Sequence, residues 1–487
     1  MRGHGYAIRT VDRIARPARR LSPSMLTGIV AMSDATVTIG AGLLIALVYV
    51  AEGRPGDPML PDLAAVMLYA FTLLLVANAA GLYRLNVIMD PVPRLSKFAV
   101  VCCLVFLVLL AAAFALKISS HFSRAWAFSW VLSTVIVGAL ARVLAARALR
   151  RLAQAGRIAR TIVLFGGGVE GQRVIETIKQ LNEPWNRIAA IFDDRLSRTA
   201  DSIAGVPMKG DLNALISWSR MNQPDEVLVA LPWTAEQRIV NILQALAVLP
   251  ANVRLGLDFG HTELLSGRLS FQFGLPMLDA HEKPLREWER VWKRLFDVFV
   301  AATVLVLSLP FLLLIALAIK LDSPGPVLFR QPRYGFNNQL IEVFKFRTMR
   351  DDAADPQGVR STERGDLRVT RLGAFLRRTS LDEMPQILNV LRGEMSVVGP
   401  RPHAERTTAG GRQCDEVVIQ YAVRHKVKPG ITGWAQVNGW RGTMETEEAL
   451  VKRVEHDLHY IKHWSPWFDV VILARTVLSV LRNKNCY

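Results

Sequence analysis

VFVAATVLVLSLPFLLLIALAI, residues 298–319, is a run of 22 residues without a formal charge, preceded by Lys293 and Arg294 and followed by Lys320. A helix rises about 1.5 Å per residue, so such a run is long enough to span the roughly 30 Å hydrocarbon core of a bilayer. Pro310 sits at its middle, after Ser308, and an interior proline removes one backbone hydrogen bond and crowds the preceding turn. Two topologies follow. If the run crosses, the chain after Lys320 lies on the far side of the membrane; if it breaks at Ser308-Leu309-Pro310 and returns, the last third of the chain stays where it began. The flanking charges are nearly symmetric and choose neither.

The rest of the composition fits a membrane protein. Of 487 residues 51% are hydrophobic, high for a purely soluble chain. The net charge of +17 would suit nucleic acid or an anionic bilayer. The arginines, however, flank apolar runs instead of forming one patch interleaved with aromatics, so contact with membrane lipids is expected and nucleic-acid binding is not. Cys102 and Cys103 lie inside an apolar run, and Cys414 and Cys486 stand alone, which supports neither a disulfide framework nor a zinc site. Six arginines, Arg2, Arg9, Arg13, Arg16, Arg19 and Arg20, precede the first apolar run. No small-residue cleavage pattern follows that run, so it is read as a retained anchor.

Upstream of the opening run lie four further apolar stretches, near residues 25–50, 62–82, 97–116 and 126–147, each long enough to cross as a helix. The N-terminal arginines, then Arg84, Arg94 and Lys97, then Arg147, Arg150, Arg151, Arg157 and Arg160 mark the connections that the positive-inside rule puts in the cytoplasm. The connections at residues 52–62 and 117–124 carry weaker or mixed charge and fit the outer side. Four crossings return the chain to the cytoplasm.

Residues 161–282 read as soluble α/β. Thr161-Ile162-Val163-Leu164-Phe165 runs into Gly166-Gly167-Gly168-Val169-Glu170-Gly171, and a second strand at residues 188–192 ends in Asp193 and Asp194. Strand, Gly-rich turn and helix make a Rossmann-like unit, with Gly166, Gly168 and Gly171 in the places that cradle a nucleotide phosphate and the two acids spaced for a ribose. The same glycines also serve a tight turn with close helix packing in a domain without a ligand. Apolar segments at residues 226–231 and 253–257 extend a small parallel sheet.

Downstream, residues 321–402 hold the densest set of chemically useful groups: Asp322-Ser323-Pro324-Gly325-Pro326, Arg330, Arg333, Lys345-Phe346-Arg347-Thr348-Met349, Arg377-Arg378-Thr379-Ser380-Leu381-Asp382-Glu383-Met384-Pro385-Gln386 and Gly399-Pro400-Arg401-Pro402. Guanidinium groups at this density suit phosphate, which they grip bidentately. Pro385 lacks an N–H and is comfortable only in a first helical turn, which puts an N-cap near Asp382 and a helix through about Arg392, with Gly393 beyond its end. At a helix N-terminus Asp382 would be ionised at neutral pH and able to attack phosphorus without a base. Glu383 would be placed to hold a divalent cation, since Mg²⁺ takes one or two carboxylates plus phosphate oxygens and water. The plainer reading is an ordinary cap with a dipole partner.

Lys293-Arg294-Leu295-Phe296-Asp297, the opening run with Ser308 and Pro310, Asp322 to Pro326, Lys345 to Met349, Ser380 to Gln386 and Gly399 to Pro402 together resemble the bacterial sugar transferase family, the polyprenyl-phosphate hexose-1-phosphate transferases or monotopic phosphoglycosyl transferases. The resemblance covers about residues 290–487, and the four N-terminal spans with the α/β region resemble its long form. It implies three domains: a four-helix transmembrane region at 1–150, a Rossmann-like cytoplasmic domain at 151–285, and a mainly α, membrane-associated catalytic domain at 286–487 whose helix 298–319 is re-entrant. It further implies that Asp382 attacks the β-phosphate of a UDP-sugar, releasing UMP, and that undecaprenyl phosphate then takes the phosphosugar. Glu383 would help to hold Mg²⁺, with Lys345, Arg377, Pro400, Arg401 and Pro402 around the phosphates and nucleotide. Arg347 joins these as a substrate-binding candidate, and Arg347, Arg378 and Arg333 are each equally readable as structural or lipid-facing. Because UDP-sugars are made in the cytoplasm, the site should face inward at a bacterial inner membrane, and the opening run should therefore return.

Lys428-Pro429-Gly430-Ile431-Thr432-Gly433-Trp434 also matches the family, and Gln436-Val437-Asn438-Gly439-Trp440-Arg441-Gly442 looks more like glucose-1-phosphate transferases of exopolysaccharide pathways than galactose-specific ones. Galactose and N-acetylhexosamine donors are the alternatives. Trp434 and Trp440 either stack on uracil or sugar or pack in the core. Residues 464–481, with Trp464, Trp467 and Phe468 near their start, read as an interfacial helix or as one packed on the domain. A homodimer would give the extra domains a purpose. The competing class is a membrane nucleotide sensor or assembly scaffold whose C-terminal domain is inert, and a competing mechanism is single-step displacement with Asp382 as general base.

Overall fold

The structure, a computed structural model, describes residues 23–51, 59–119, 122–154, 160–181, 183, 185–195, 201–256, 269–272, 275–350, 366–403, 408–409, 412–418, 421–440 and 446–481. The N-terminal arginines, most of the 52–62 connection, Arg157, Arg441, Gly442 and Cys486 lie outside them. The chain divides into two compact units, Met1–Arg160 with Glu183–Arg187, and Thr161–Asn182 with Ile188–Tyr487.

The first unit is helical: α1 Pro23–Ala51, α2 Met59–Ala79, α3 Leu95–Ala115 and α4 Arg124–Gln154. All four are apolar around most of their circumference and long enough to cross a membrane. Their inner faces pack through Val66, Tyr69, Leu73, Phe98, Cys102 and Trp130. The Trp130 indole donates to the Thr38 carbonyl at 2.8 Å, and Arg142 pairs with Asp34 at 2.5 Å, so the polar groups within this apolar bundle are turned toward each other.

The second unit opens with a six-stranded sheet formed by β1 Arg160–Phe165, β2 Asn186–Phe192, β3 Glu226–Val229, β4 Asn252–Gly256, β5 Leu269–Gln272 and β6 Leu275–His281, in the order β2-β1-β3-β4-β6-β5. β3 runs parallel to β1 and β4, with Val227 beside both Val163 and Val253. The sheet is mixed rather than wholly parallel, because β6 joins β4 antiparallel and brings β5 with it as a hairpin. Helices α5 Val169–Gln180, α6 Leu212–Asn222 and α7 Glu236–Leu246 cover it.

A 36-residue helix, α8 Glu287–Asp322, carries the opening run, and Pro310 lies inside it. The interruption expected at Ser308-Leu309-Pro310 is absent: helical hydrogen bonding resumes on both sides of the missing proline N–H, and the Ser308 hydroxyl donates to the Val304 carbonyl at 2.7 Å. Ala301 packs in a cluster with Val343, whereas Ile315 and Ile319 pack in a cluster with Phe346, and Val343 and Phe346 both belong to one strand, β8 Leu340–Phe346. Between these anchors Val306, Leu307, Leu313 and Leu314 are exposed, Leu307 by 77%.

β8 pairs antiparallel with β7 Leu328–Tyr334, so that Lys345 lies opposite Phe329. Helices α9 Arg371–Thr379 and α10 Gln386–Arg392 follow, then β9 Ser396–Val398, parallel to β10 Gly430–Thr432. The latter pair brings the Gly399-Pro400 and Pro429-Gly430 segments so close that a Cβ on either Gly399 or Gly430 would overlap the backbone of the other segment. Helices α11 Glu447–Lys462 and α12 Pro466–Leu481 close the domain. α12 buries Asp469 and Ile472 in the domain and leaves Trp467, Val477 and Leu478 exposed. Lys293 ties α8, β9 and α12 together, with its Nζ 3.1 Å from Asp297, 2.8 Å from Asp469 and 3.0 Å from the Val398 carbonyl.

Candidate active site

The acidic pair sits where α9 gives way to α10. α9 ends at Ser380, whose φ of +60° is left-handed and turns the chain sharply. A three-residue 3₁₀ turn, Leu381–Glu383, follows, and Met384 N–H donates to the Leu381 carbonyl at 3.2 Å. α10 begins only at Gln386, with Pro385 as its N-cap residue and Gly393 at φ +82° as its C-cap. Asp382 is therefore not the cap of α10, as its spacing from Pro385 suggests. The turn forced by Ser380 leaves room for one tight i→i+3 turn before the proline, and the helix starts after it.

Ionisation in the pair is set by neighbouring charges and burial instead of a helix end. Glu383 is gripped from two sides: Lys345 Nζ lies 3.0 Å from Oε1, and Arg401 donates through Nη1 to Oε2 at 3.0 Å and through Nη2 to Oε1 at 2.5 Å. Burial by itself would raise the Glu383 carboxyl, but Arg401 and Lys345 hold it well below the usual carboxylate range. Asp382 goes the other way. Burial first and the adjacent Glu383 charge second push it up to about 6, against the pull of Lys345, Arg377 and Arg401. Two neighbouring carboxylates are thus driven apart in pKa, the usual mark of a working acidic pair.

The structure gathers Lys345 from β8, Arg377 from α9 and Arg401 from the loop after β9 around Asp382 and Glu383. Arg377 is steadied by donating from Nε to the Thr348 hydroxyl at 2.8 Å. Pro400 and Pro402 shape the Arg401 loop: their carbonyls accept from the Gly430 N–H at 2.9 Å and from Arg333 Nη1 at 3.5 Å. Arg347 points elsewhere. It is buried, with Nη2 donating to the Ser323 carbonyl at 2.6 Å and hydroxyl at 2.9 Å, while its Nε and Nη1 find no hydrogen-bond partner among the described residues. Trp434 packs against Phe468, with the Arg475 guanidinium 4.9 Å from its ring centroid.

Gly166, Gly168 and Gly171 lie at the end of β1 and the start of α5. Gly166 takes φ +110°, and a Cβ on Gly171 would overlap the Gly166 carbonyl, so both are required by close strand–helix packing. Asp193 does not present its carboxylate to a ribose here; it accepts from the Gly167 N–H at 2.8 Å and the Arg195 N–H at 2.9 Å. Asp194 accepts from the Leu212 N–H and from Arg238, both at 3.1 Å.

The Mg²⁺ expected from the sequence has a poor seat in this arrangement. Both Glu383 oxygens already accept from cationic side chains. A metal on Glu383 would have to displace Arg401 or Lys345.

Sequence reasoning passed over the buried polar group behind Arg401, made of His403, Arg424, Arg453 and Asp457. One signal was available. On α11, Asp457 falls in the stripe of Leu450, Val454 and Ile461, all buried, where a carboxylate needs a partner.

Comparison with known proteins gives two family matches: bacterial sugar transferase over residues 288–483 and CoA-binding domain over residues 78–256. The chain is 40% identical over 333 residues to an undecaprenyl-phosphate glucose phosphotransferase of Komagataeibacter xylinus, covering 68% of this chain and 61% of that protein. It is 40% identical over 331 residues to the UDP-glucose:undecaprenyl-phosphate glucose-1-phosphate transferase of Escherichia coli (strain K12), covering 67% and 69%. The protein of the same name from Xanthomonas campestris pv. campestris is 32% identical over 465 residues, with 93% of each chain covered.

Proposed function

Because this chain belongs to the bacterial sugar transferase family, we propose that it transfers hexose-1-phosphate, with glucose as the sugar, from a UDP-sugar to undecaprenyl phosphate and releases UMP. This would be the first membrane step in making an exopolysaccharide or related glycan. The observation that carries the reading is the divergent pair: Asp382 beside a Glu383 locked between Lys345 and Arg401.

With its carboxyl at about 6, Asp382 is ionised at neutral pH by roughly ten to one and remains basic enough to attack. A carboxylate oxygen of Asp382 bonds to the β-phosphorus as the bond from that phosphorus to the UMP oxygen breaks. UMP leaves with the electron pair, and the phosphosugar stays on Asp382. A phosphate oxygen of undecaprenyl phosphate then attacks the same phosphorus and expels the carboxylate. Neither step needs a base, since both nucleophiles are already anions. Arg401 and Arg377 offer guanidinium charge to the phosphate oxygens, and Glu383 keeps Arg401 and Lys345 in place. Mg²⁺ enters the proposal as the counter-ion of the donor's diphosphate, and no step is routed through it.

The orientation is part of the same reading. UDP-sugars are made in the cytoplasm, so the reading sets the catalytic domain on the cytoplasmic face, and α8, whose hydrogen bonding continues across Pro310, must bend there to return. Incubating membranes that contain the protein with undecaprenyl phosphate and a panel of UDP-sugars, and following UMP, tests the reaction and the donor together. Release with UDP-glucose above the other donors is expected; no release with any donor contradicts the proposal.

A further inference from the structure

Behind the Arg401 loop lies a buried ion pair that the proposed reaction does not use. Arg424 is 1% exposed and Asp457 2%, with Arg424 Nη2 at 2.6 Å from Asp457 Oδ2. The same Nη2 donates to the backbone carbonyl of Arg401 at 2.8 Å. Arg424 Nη1 lies 2.6 Å from Nδ1 of His403, two residues beyond Arg401, and Arg453 Nη1 lies 3.3 Å from His403 Nε2. Burial, then Arg424 and Arg453, keep the His403 ring well below its usual pKa, so it stays neutral, with one ring nitrogen able to accept from a guanidinium and the other carrying the proton. The start of the loop is pinned separately, where the Val398 carbonyl accepts from Lys293 and from the Tyr460 hydroxyl, each at 3.0 Å.

Arg401 is thus held by its backbone on one side and reaches Glu383 with its side chain on the other. Stability alone is a weak reason for burying two charges, because a buried ion pair is often no more stable than apolar residues of similar volume. We infer that the Arg424–Asp457 pair is a positioning device for Arg401: it fixes the Arg401 carbonyl so that the guanidinium arrives at Glu383 in two-point register beside Asp382. Asp457 supplies the negative charge that makes a buried Arg424 tolerable beside the Arg401 carbonyl. Neither residue touches substrate; both act through Arg401. The inference rests on the proposed reaction for its kinetic consequence, but not for its structural one.

The test uses the full-length protein in lipid nanodiscs with Arg424→Met and Asp457→Leu combined, so that neither member of the pair is left without the other. The expected result is a folded protein with faster amide exchange in the peptide spanning residues 396–403 and a kcat for UMP release lower by about a hundredfold, with KM changed far less. Adding Arg401→Ala to this variant should cost little more, because both changes remove the same contact with Glu383. Losses that multiply, or wild-type exchange together with wild-type kcat, overturn the inference. If the double variant does not fold, Arg424→Lys keeps a cation on Asp457 but lacks the forked donors, and the same exchange and coupling results are expected of it. If the unaltered protein releases no UMP from any donor, the reading of the reaction fails while the exchange comparison still decides the positioning claim.

Discussion

Arg401 and Glu383 meet in a two-point ion pair, Nη1 to Oε2 at 3.0 Å and Nη2 to Oε1 at 2.5 Å, within a residue of the proposed nucleophile. Lysine cannot reproduce that fork. Arg401→Lys is therefore expected to lower kcat roughly tenfold to a hundredfold while the protein stays folded, and Arg401→Ala to lower it further. Steady-state UMP release checks both, and equal rates for Lys and Arg would remove the two-point geometry from the account.

The divergent pair gives a pH signature. Asp382 must be ionised to attack, so kcat is expected to fall about tenfold per unit below pH 6. The stability effect has the opposite sign. The Asp382 carboxyl is raised in the folded state from 3.8 to about 6, so its contribution is fully favourable below about pH 4 and is lost as the pH rises through 6. Asp382→Asn should accordingly raise Tm at pH 8, and the gain should vanish by about pH 4. Glu383, held low by Arg401 and Lys345, contributes stability above the ordinary glutamate range that is lost as pH falls, so Glu383→Gln should lower Tm at pH 8. Differential scanning fluorimetry across pH 4–8 checks both signs.

The two ends of α8 should lie on one side of the membrane. In a background without native cysteines, Glu287→Cys and Asp322→Cys, at the two ends of this helix, are expected to label with a membrane-impermeant maleimide from the cytoplasmic face only. Periplasmic labelling at position 322 would contradict the re-entrant reading.

Chelation examines the metal. Turnover is expected to disappear in EDTA and return with added Mg²⁺, the ion being brought by the donor's diphosphate. Full turnover in EDTA would take Mg²⁺ out of the proposal and leave Lys345, Arg377 and Arg401 to neutralise the phosphates.

Much of this site lies in short, local sequence. Asp382 and Glu383 are adjacent, and the arginines around them fall in compact motifs, so their association needed little knowledge of the fold. The spans were legible from length and polarity because a helix in lipid must be apolar on most of its surface. What escaped depends on packing. The left-handed turn at Ser380 is made by a residue that seldom adopts positive φ, so nothing in the sequence marks where α9 stops, and spacing from Pro385 points to a cap at Asp382 where the structure has it at Pro385. The Ser308-Leu309-Pro310 segment suggests a break, yet the helix continues across a single missing hydrogen bond. Asp193 had the spacing of a ribose ligand, but its carboxylate closes the Gly167 turn. The Arg424–Asp457 pair spans 33 residues, and only the place of Asp457 in the apolar stripe of α11 marks it in the sequence.

The most direct test of the central claim, that Asp382 carries the phosphosugar, is mass spectrometry of the tryptic peptide 379–392 after incubation with UDP-glucose and no undecaprenyl phosphate. The expected result is a hexose-phosphate adduct on Asp382, formed with one UMP released per adduct and discharged when undecaprenyl phosphate is added. An unmodified peptide in a preparation that turns over once the acceptor is supplied would contradict the covalent route.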